Sequence, residues 1–455
     1  MAMGKRRQRE RQEDLWIATS EVVRTPSNAF YERFNEILDA NKFDLKVEHL
    51  CRRYYTGFGR PSLEPGTYFR MMFVGYFEGL DSERGIAWRI ADSLSLRKFL
   101  GYGLDEETPD HSTLSRTRRL FWVETHQAVF RWVIEILQKE GLVKGQTVAI
   151  DATLLEANAA MKSIVRRDTG ESYDEYLRGL AQAAGLENPT AEQLRRFDRK
   201  RKKKASNQEW KSPADGDARI AKMKDGRTHL AHKVEHAVDL SSGALLAVTL
   251  QGADQGDTTT VQETLVEADA AARRINGVGL REGVLDKGYH SGAVLKELEA
   301  CEIRSYIPEP ERGRRQWDGE DKQEEQKRVY ANRRRVRGSR SKRLQKLRSE
   351  LAERSFAHLY ETGGMRRVHL RGRINILKRL VVHGAAFNLA LVLRQRFGVG
   401  KPRRLQGVMT CFCQSWKLLG IFWGNPIPSW LTVVAFLTAL VGFPRRDSVL
   451  WATSE

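Results

Sequence analysis

Cysteine is scarce, with four in 455 residues. Cys51 and Cys301 stand alone, and Cys411 and Cys413 are separated by one residue rather than the two of a zinc knuckle. A disulfide scaffold is excluded, and a reducing, intracellular compartment is the expectation. Long apolar runs are also few. Residues 1–13 are basic and then acidic with no apolar core, unlike a secretory signal. Ile427 to Phe443 is almost uncharged, but it is short for a membrane span and Pro428 breaks its start. It reads as a buried or interface helix rather than an anchor. Negative charge falls short as well: 58 Asp and Glu against 77 Lys and Arg leave +19. With 41% hydrophobic and 30% charged residues the chain is an ordinary globular protein, and global disorder is excluded. The length allows two to four domains. The positive surplus calls for an acidic partner, nucleic acid first and an anionic membrane second.

From Ser27 to about Leu142 the apolar spacing is helical. Ser27 can cap a segment carrying Phe30, Phe34, Ile37 and Leu38 on one face. Pro65 suits the first turn of a second helix ending at Gly79, and a third begins near Asp81 with Ile86, Ile90 and Leu94. Asp110 or Ser112 opens a longer helix through Leu120 and Val133 to Leu137. This pattern predicts an all-α, helix-turn-helix-like bundle over 27–145 after a polar basic tail, 1–26. Within it Arg116, Arg118 and Arg119, among small hydroxyl residues, form the stretch suited to DNA phosphates; the alternative is a solvated helix start.

At Gln146 the period changes. Thr147–Leu155 reads as a buried strand with Asp151 set into it. Strands follow at Leu230–Asp239 and Ala244–Leu250, then a helix from Asp257, a strand Gly283–Leu285, a helix Ser291–Ala300 and a strand Ile303–Ile307. A basic helical region from Arg340 to about Tyr360 and an amphipathic helix over about 374–396 complete a domain spanning 146–396. A polar insertion, about 156–228, carries eight Lys/Arg between Arg195 and Lys204, as in a solvated or phosphate-gripping arm. The remainder, 397–455, is a C-terminal tail holding the apolar 427–443 segment.

Two acids stand out by position. Asp151 interrupts an apolar strand, where an unpaired charge is costly to bury. Asp286 ends the fourth predicted strand. In a β-β-β-α-β-α order strand four lies beside strand one, so the two carboxylates meet. Converging carboxylates repel unless a cation sits between them, and hard oxygen donors select Mg²⁺ or Mn²⁺. A third acid on the late basic helix would complete a two-metal site, with Glu350, Glu353 and Glu361 as the candidates. His229, His232 and His236 would align as a zinc site on a helix, but their neighbours favour a strand.

With these motifs the chain resembles the DDE-type transposases of insertion sequences, over about residues 40–395. Gly59-Arg60-Pro61-Ser62 through Phe99-Leu100-Gly101 and Pro109–Leu114 are similar to the helical N-terminal domain of that family. Ile150-Asp151-Ala152-Thr153 and Leu285–Tyr289 resemble its first two catalytic motifs. Glu353–Ala357, with Gly363–Arg367 and Arg371-Gly372, resembles the third, and this selects Glu353. Gly216 stands where many relatives have proline, and Ser349 and Tyr360 replace the arginine and lysine of a related signature.

The resemblance implies an α/β RNase H-like core, a mixed five-stranded sheet with helices on both faces. It implies that Asp151, Asp286 and Glu353 hold two Mg²⁺ (or Mn²⁺) ions for DNA strand cleavage and strand transfer. It further implies double-stranded DNA as partner (terminal inverted repeats and target), a homodimer, no membrane, and a bacterial cytoplasmic, nucleoid-associated setting. Lys287, Arg366, Arg367 and Arg371 are placed to meet phosphates. Tyr289 and His290 either touch a neighbouring nucleotide or, for Tyr289, pack in the core. The alternative reading is a catalytically inactive or domesticated DNA-binding protein of the same fold. The charge is concentrated: Arg312–Arg379 has 22 basic against 8 acidic residues, whereas Met1–Gln146 has 23 against 21. The catalytic domain is therefore expected to hold much of the DNA.

Overall fold

Asn28 starts the first helix by accepting the Phe30 N–H on its side chain. The computed structural model describes residues 28–56, 62–202, 205–311, 313, 315 and 317–402. The tail expected over 1–26, the Ser27 cap, Gly59–Pro61, Lys203, Lys204 and the apolar segment 427–443 lie outside the described residues. Helices α1 (Ala29–Ala40), α2 (Phe43–Cys51), α3 (Pro65–Glu78), α4 (Glu83–Ala91) and α5 (Leu94–Leu100) follow in order. Proline occupies the first turn of α3, and Gly79, at φ +70°, caps its end in the left-handed conformation expected of glycine. Phe34 packs against Phe73, Phe77 and Phe99 with ring centroids 5.2–5.8 Å apart, so aromatic residues form the centre of the bundle.

The long helix expected from Asp110 to Leu137 is two helices, α6 (His111–Leu120) and α7 (Val123–Lys139). Asp110 caps α6, its carboxylate accepting the Thr113 N–H at 2.8 Å. The chain then turns extended at Phe121 and Trp122. Phe121 is fully buried against Tyr68 and Phe69, which fixes the break without glycine or proline.

Strand β1 (Thr147–Glu156) opens the sheet. The polar insertion that follows is folded: β2 (Val165–Arg166), α8 (Tyr173–Ala183), α9 (Ala191–Lys200) and β3 (Trp210–Lys211). Tyr173 and Tyr176 pack on Trp210, and Leu177, Ala181 and Leu194 form a second small core. The basic run over 195–202 is thus largely the exposed side of α9 and its exit rather than a free arm.

The chain returns through β4 (Arg219–Lys222), β5 (Thr228–Asp239), β6 (Leu245–Gly252), α10 (Asp257–Asn276), β7 (Glu282–Leu285), α11 (Gly292–Ala300) and β8 (Arg304–Tyr306). It continues as α12 (Glu320–Arg337), α13 (Ser339–Ala357) with a π-turn His358–Thr362, and α14 (Arg373–Phe397). β5 pairs antiparallel with β1, β4 and β6, while β1, β7 and β8 run parallel. β4 therefore adds a sixth strand to the five expected. Glu235 and His236, neighbours on β5, point to opposite faces of the sheet. Glu235 meets Thr260 and Thr264 of α10, and His236 meets Ser355 of α13. Helices consequently cover both faces of a mixed sheet.

The last helix departs from its expected amphipathic form. It is buried from Lys378 to Leu393 on every side. The Asn388 side chain bonds both backbone groups of Leu245 in β6, while Lys378 donates to the Arg118 carbonyl and Arg379 to that of Leu80. α14 is the spacer between sheet and bundle, which removes any solvent face. By length and composition it is also apolar enough to cross a membrane, and 94% of its apolar window is buried inside the protein.

Candidate active site

The site begins with strand register. β1 and β7 are parallel with Ile150 beside Leu285, so Asp151 and Asp286, one residue further on, emerge side by side. The face is set by Asp151 lying opposite His236, on the side covered by α13. The Arg348 guanidinium, from α13, lies between the two carboxylates. Its Nη1 is 2.9 Å from Asp151 Oδ2 and its Nη2 is 3.7 Å from Asp286 Oδ1. The Arg348 Nε donates to Gln345 at 3.0 Å, and the Gln345 amide donates to the carbonyls of Tyr306 and Leu285 at 2.8 and 3.3 Å. The guanidinium is thus anchored to the ends of β7 and β8.

Burial raises the Asp151 carboxyl above the ordinary carboxylate range, and the Asp286 charge adds to that. The Ala152 N–H, 2.8 Å away, and Arg348 oppose the rise. The pair is asymmetric: the Asp151 side chain is 27% exposed and that of Asp286 49%. One carboxylate is held by the protein and the other faces outward.

Glu353 is not brought to this pair. It lies five residues past Arg348 on α13, about 140° round the helix, and is exposed. Its neighbours Leu351, Ala352, Ser355 and Phe356 take the face toward the sheet, with Phe356 stacked on His236 at 4.3 Å. Glu350 pairs with Arg354, and Glu361 with Arg366. Among the described residues no group of three or more Asp, Glu, His or Cys could hold a metal ion. The two aspartates remain: adjacent hard-oxygen donors that already share one cationic group, a donor set suited to a divalent cation.

The basic residues divide. Arg116 and Arg119 are exposed on α6, Lys287 is exposed beside Asp286, and Arg366, Arg367 and Arg371 are exposed past α13. Arg367 is tied to the far end of β1, where Val368 N–H donates to the Glu156 carbonyl at 2.9 Å. Arg118 corrects the sequence expectation. Its side chain is 7% exposed and forms an ion pair with Glu83 at 2.6 Å, so it joins α6 to α4 inside the bundle. Tyr289 takes the core-packing alternative: it is 1% exposed, and its hydroxyl donates to Glu235 at 3.3 Å. His290 is buried too.

Tyr289 belongs to a network that the sequence reading missed. Lys233 Nζ lies 2.6 Å from Asp257, 3.3 Å from Glu235 and 2.8 Å from the Thr260 hydroxyl, all beneath the turn that follows Asp286. The detectable signal is two opposite charges two residues apart in an otherwise apolar strand, which places both on one buried face. Arg348 was missed because it is one of many basic residues in its region. His232 and His236 lie on a strand, not a helix. His232 bonds Asp215 at 3.0 Å, and burial pushes His236 down to about 3.

The paired glycines after α13 have a steric reason. A Cβ on Gly364, at φ +65°, would meet the Gly79 carbonyl oxygen at 2.7 Å, and one on Gly363 would meet the Leu359 carbonyl at 2.9 Å. The turn after α13 thereby sits directly on the end of α3.

Two family profiles match the chain. A profile described as a transposase domain (DUF772) matches residues 21–120, the helical part. One described as a transposase DDE domain matches residues 144–389, from β1 through most of α14. No curated protein matches the chain. The second profile alone spans more than half of the sequence, and the protein belongs to the DDE transposases of insertion sequences.

Proposed function

We propose that this transposase cuts DNA strands at the ends of its insertion sequence and joins the freed 3′ ends to target DNA, with Asp151, Asp286 and Glu353 as its acidic residues. The observation that carries the proposal is the convergence of Asp151 and Asp286 on one guanidinium at the ends of adjacent parallel strands. The strand order and the helices on both faces support an RNase H-like core. Asp151 and Asp286 would hold Mg²⁺ or Mn²⁺, with Glu353 as third ligand on the strength of its motif. Two such ions supply an activated attacking oxygen and charge stabilisation at the leaving 3′-oxygen.

The chain's own residues do the rest. Asp151, fixed by the Ala152 N–H and by strand register, sets the position of the reacting phosphate relative to the sheet. Asp286, more exposed, presents its oxygens outward toward the DNA. Lys287, Arg366, Arg367 and Arg371 contact flanking phosphates, and Arg116 and Arg119 extend the contact along the bundle. Pairing of two DNA ends by a homodimer belongs to the same reading, as does action at the bacterial nucleoid.

The test uses purified full-length protein with duplexes carrying the inverted repeats that flank its gene. Nicking and strand-transfer products should require Mg²⁺ or Mn²⁺ and disappear in Asp151→Ala, Asp286→Ala and Glu353→Ala. Cutting at the parental rate by those variants would move the active site elsewhere. Binding of the repeats without cutting under any divalent ion would favour the non-catalytic alternative.

A further inference from the structure

We propose that Arg348 is the resident counter-cation of the Asp151–Asp286 pair, competing with the divalent ion and withdrawing when one is taken up. This rests on the reading of the pair as a divalent-cation site. Two carboxylates on adjacent strands repel, and burial disfavours their charged forms. Arg348 offsets both effects from a side chain that is 12% exposed, with one nitrogen toward each aspartate. It is held there deliberately: Gln345 fixes the Nε and is itself fixed by two backbone carbonyls. The guanidinium and a divalent ion are both positive, so they repel each other at the same carboxylates.

The two occupants therefore exclude one another, and the affinity of the pair for a divalent ion is lower than that of the bare carboxylates. Arg348 is thus a positioning residue. It keeps the two aspartates converged in the absence of a divalent ion and sets the concentration at which one enters.

The test is direct Mn²⁺ binding by full-length protein without DNA, read as loss of the free-ion EPR signal. Asp151→Asn should weaken binding at least about tenfold. Arg348→Gln should tighten it about tenfold, since a unit charge a few ångströms away matters even at an effective dielectric of about 20. Arg348→Lys, which keeps the charge, should stay within about threefold of the parent. If Arg348→Gln binds Mn²⁺ no more tightly than the parent while Asp151→Asn still loses binding, Arg348 is no competitor and the proposal is overturned. If Asp151→Asn binds like the parent, the divalent-site reading itself fails. Circular dichroism establishes that Arg348→Gln is folded. Should it not fold, Gln345→Ala, which releases the guanidinium but keeps it, should tighten Mn²⁺ about threefold, and unchanged affinity overturns the proposal.

Discussion

Arg118 offers the sharpest separation of scaffold from DNA contact on one helix. Replacing it with alanine leaves Glu83, whose side chain is 11% exposed, without the guanidinium 2.6 Å away. It also removes the bond to the Ser115 hydroxyl at 3.3 Å. Breaking a buried pair by deleting one partner costs about 3–5 kcal/mol, because the remaining charge keeps its desolvation penalty. With an unfolding entropy of about 2.1 cal/mol/K per residue, a unit of this size should lose about 4–6 °C in Tm. Arg116→Ala and Arg119→Ala, at exposed positions, should stay within about 0.5 kcal/mol of the parent. The assay is a thermal melt of the three variants, followed by DNA affinity measured per folded molecule at two salt concentrations. Arg118→Ala should melt early yet bind DNA normally, and the other two should do the reverse. An Arg118→Ala protein that melts with the parent and loses DNA affinity as its neighbours do would refute the reasoning.

Other outcomes follow from the same physics. Burial beside Glu263 pushes Glu267 up to about 7. The folded state then holds a proton that the unfolded chain releases, so stability falls as pH rises from about 4.5 to 7. Glu267→Gln should be more stable than the parent by about 1–2 kcal/mol at pH 8, and nearly equal at pH 5, in urea titrations. Gly364→Ala, forced into the Gly79 carbonyl from a left-handed conformation, should cost about 2–3 kcal/mol by the same measurement. Arg371→Ala should weaken DNA binding across sequences and lower the salt-dependence slope by about one. For Arg366→Ala a smaller effect is expected, because Glu361 already engages that guanidinium.

What the sequence revealed follows from where the physics is local. Asp151 and Asp286 were legible because a charge inside or just past a β-branched run is conspicuous, and the strand order places them together. The proline and glycine at the ends of α3 were legible for the same reason. The rest depended on partners distant in sequence. Arg118 reads as a surface arginine until Glu83, thirty-five residues away, is seen beside it. α12 has no apolar stripe, with Val329 and Asn332 fully buried among its described side chains, so its periodicity is silent. α8 and α9 bury three residues between them and read as a polar loop. The α6–α7 break carries neither proline nor glycine and is fixed by the pocket around Phe121. α14 reads as amphipathic because a single sequence cannot show that its second face meets another layer of the fold.

Under the proposed function Asp151 acts in the chemistry on DNA rather than holding the fold or the DNA. Single-turnover cleavage of an end-bearing duplex by Asp151→Asn, with duplex affinity measured on the same sample, tests it most directly. Cleavage should fall by at least about a thousandfold, or about 4 kcal/mol of transition-state stabilisation, with affinity within a few-fold of the parent. Cleavage within tenfold of the parent at equal affinity would contradict it.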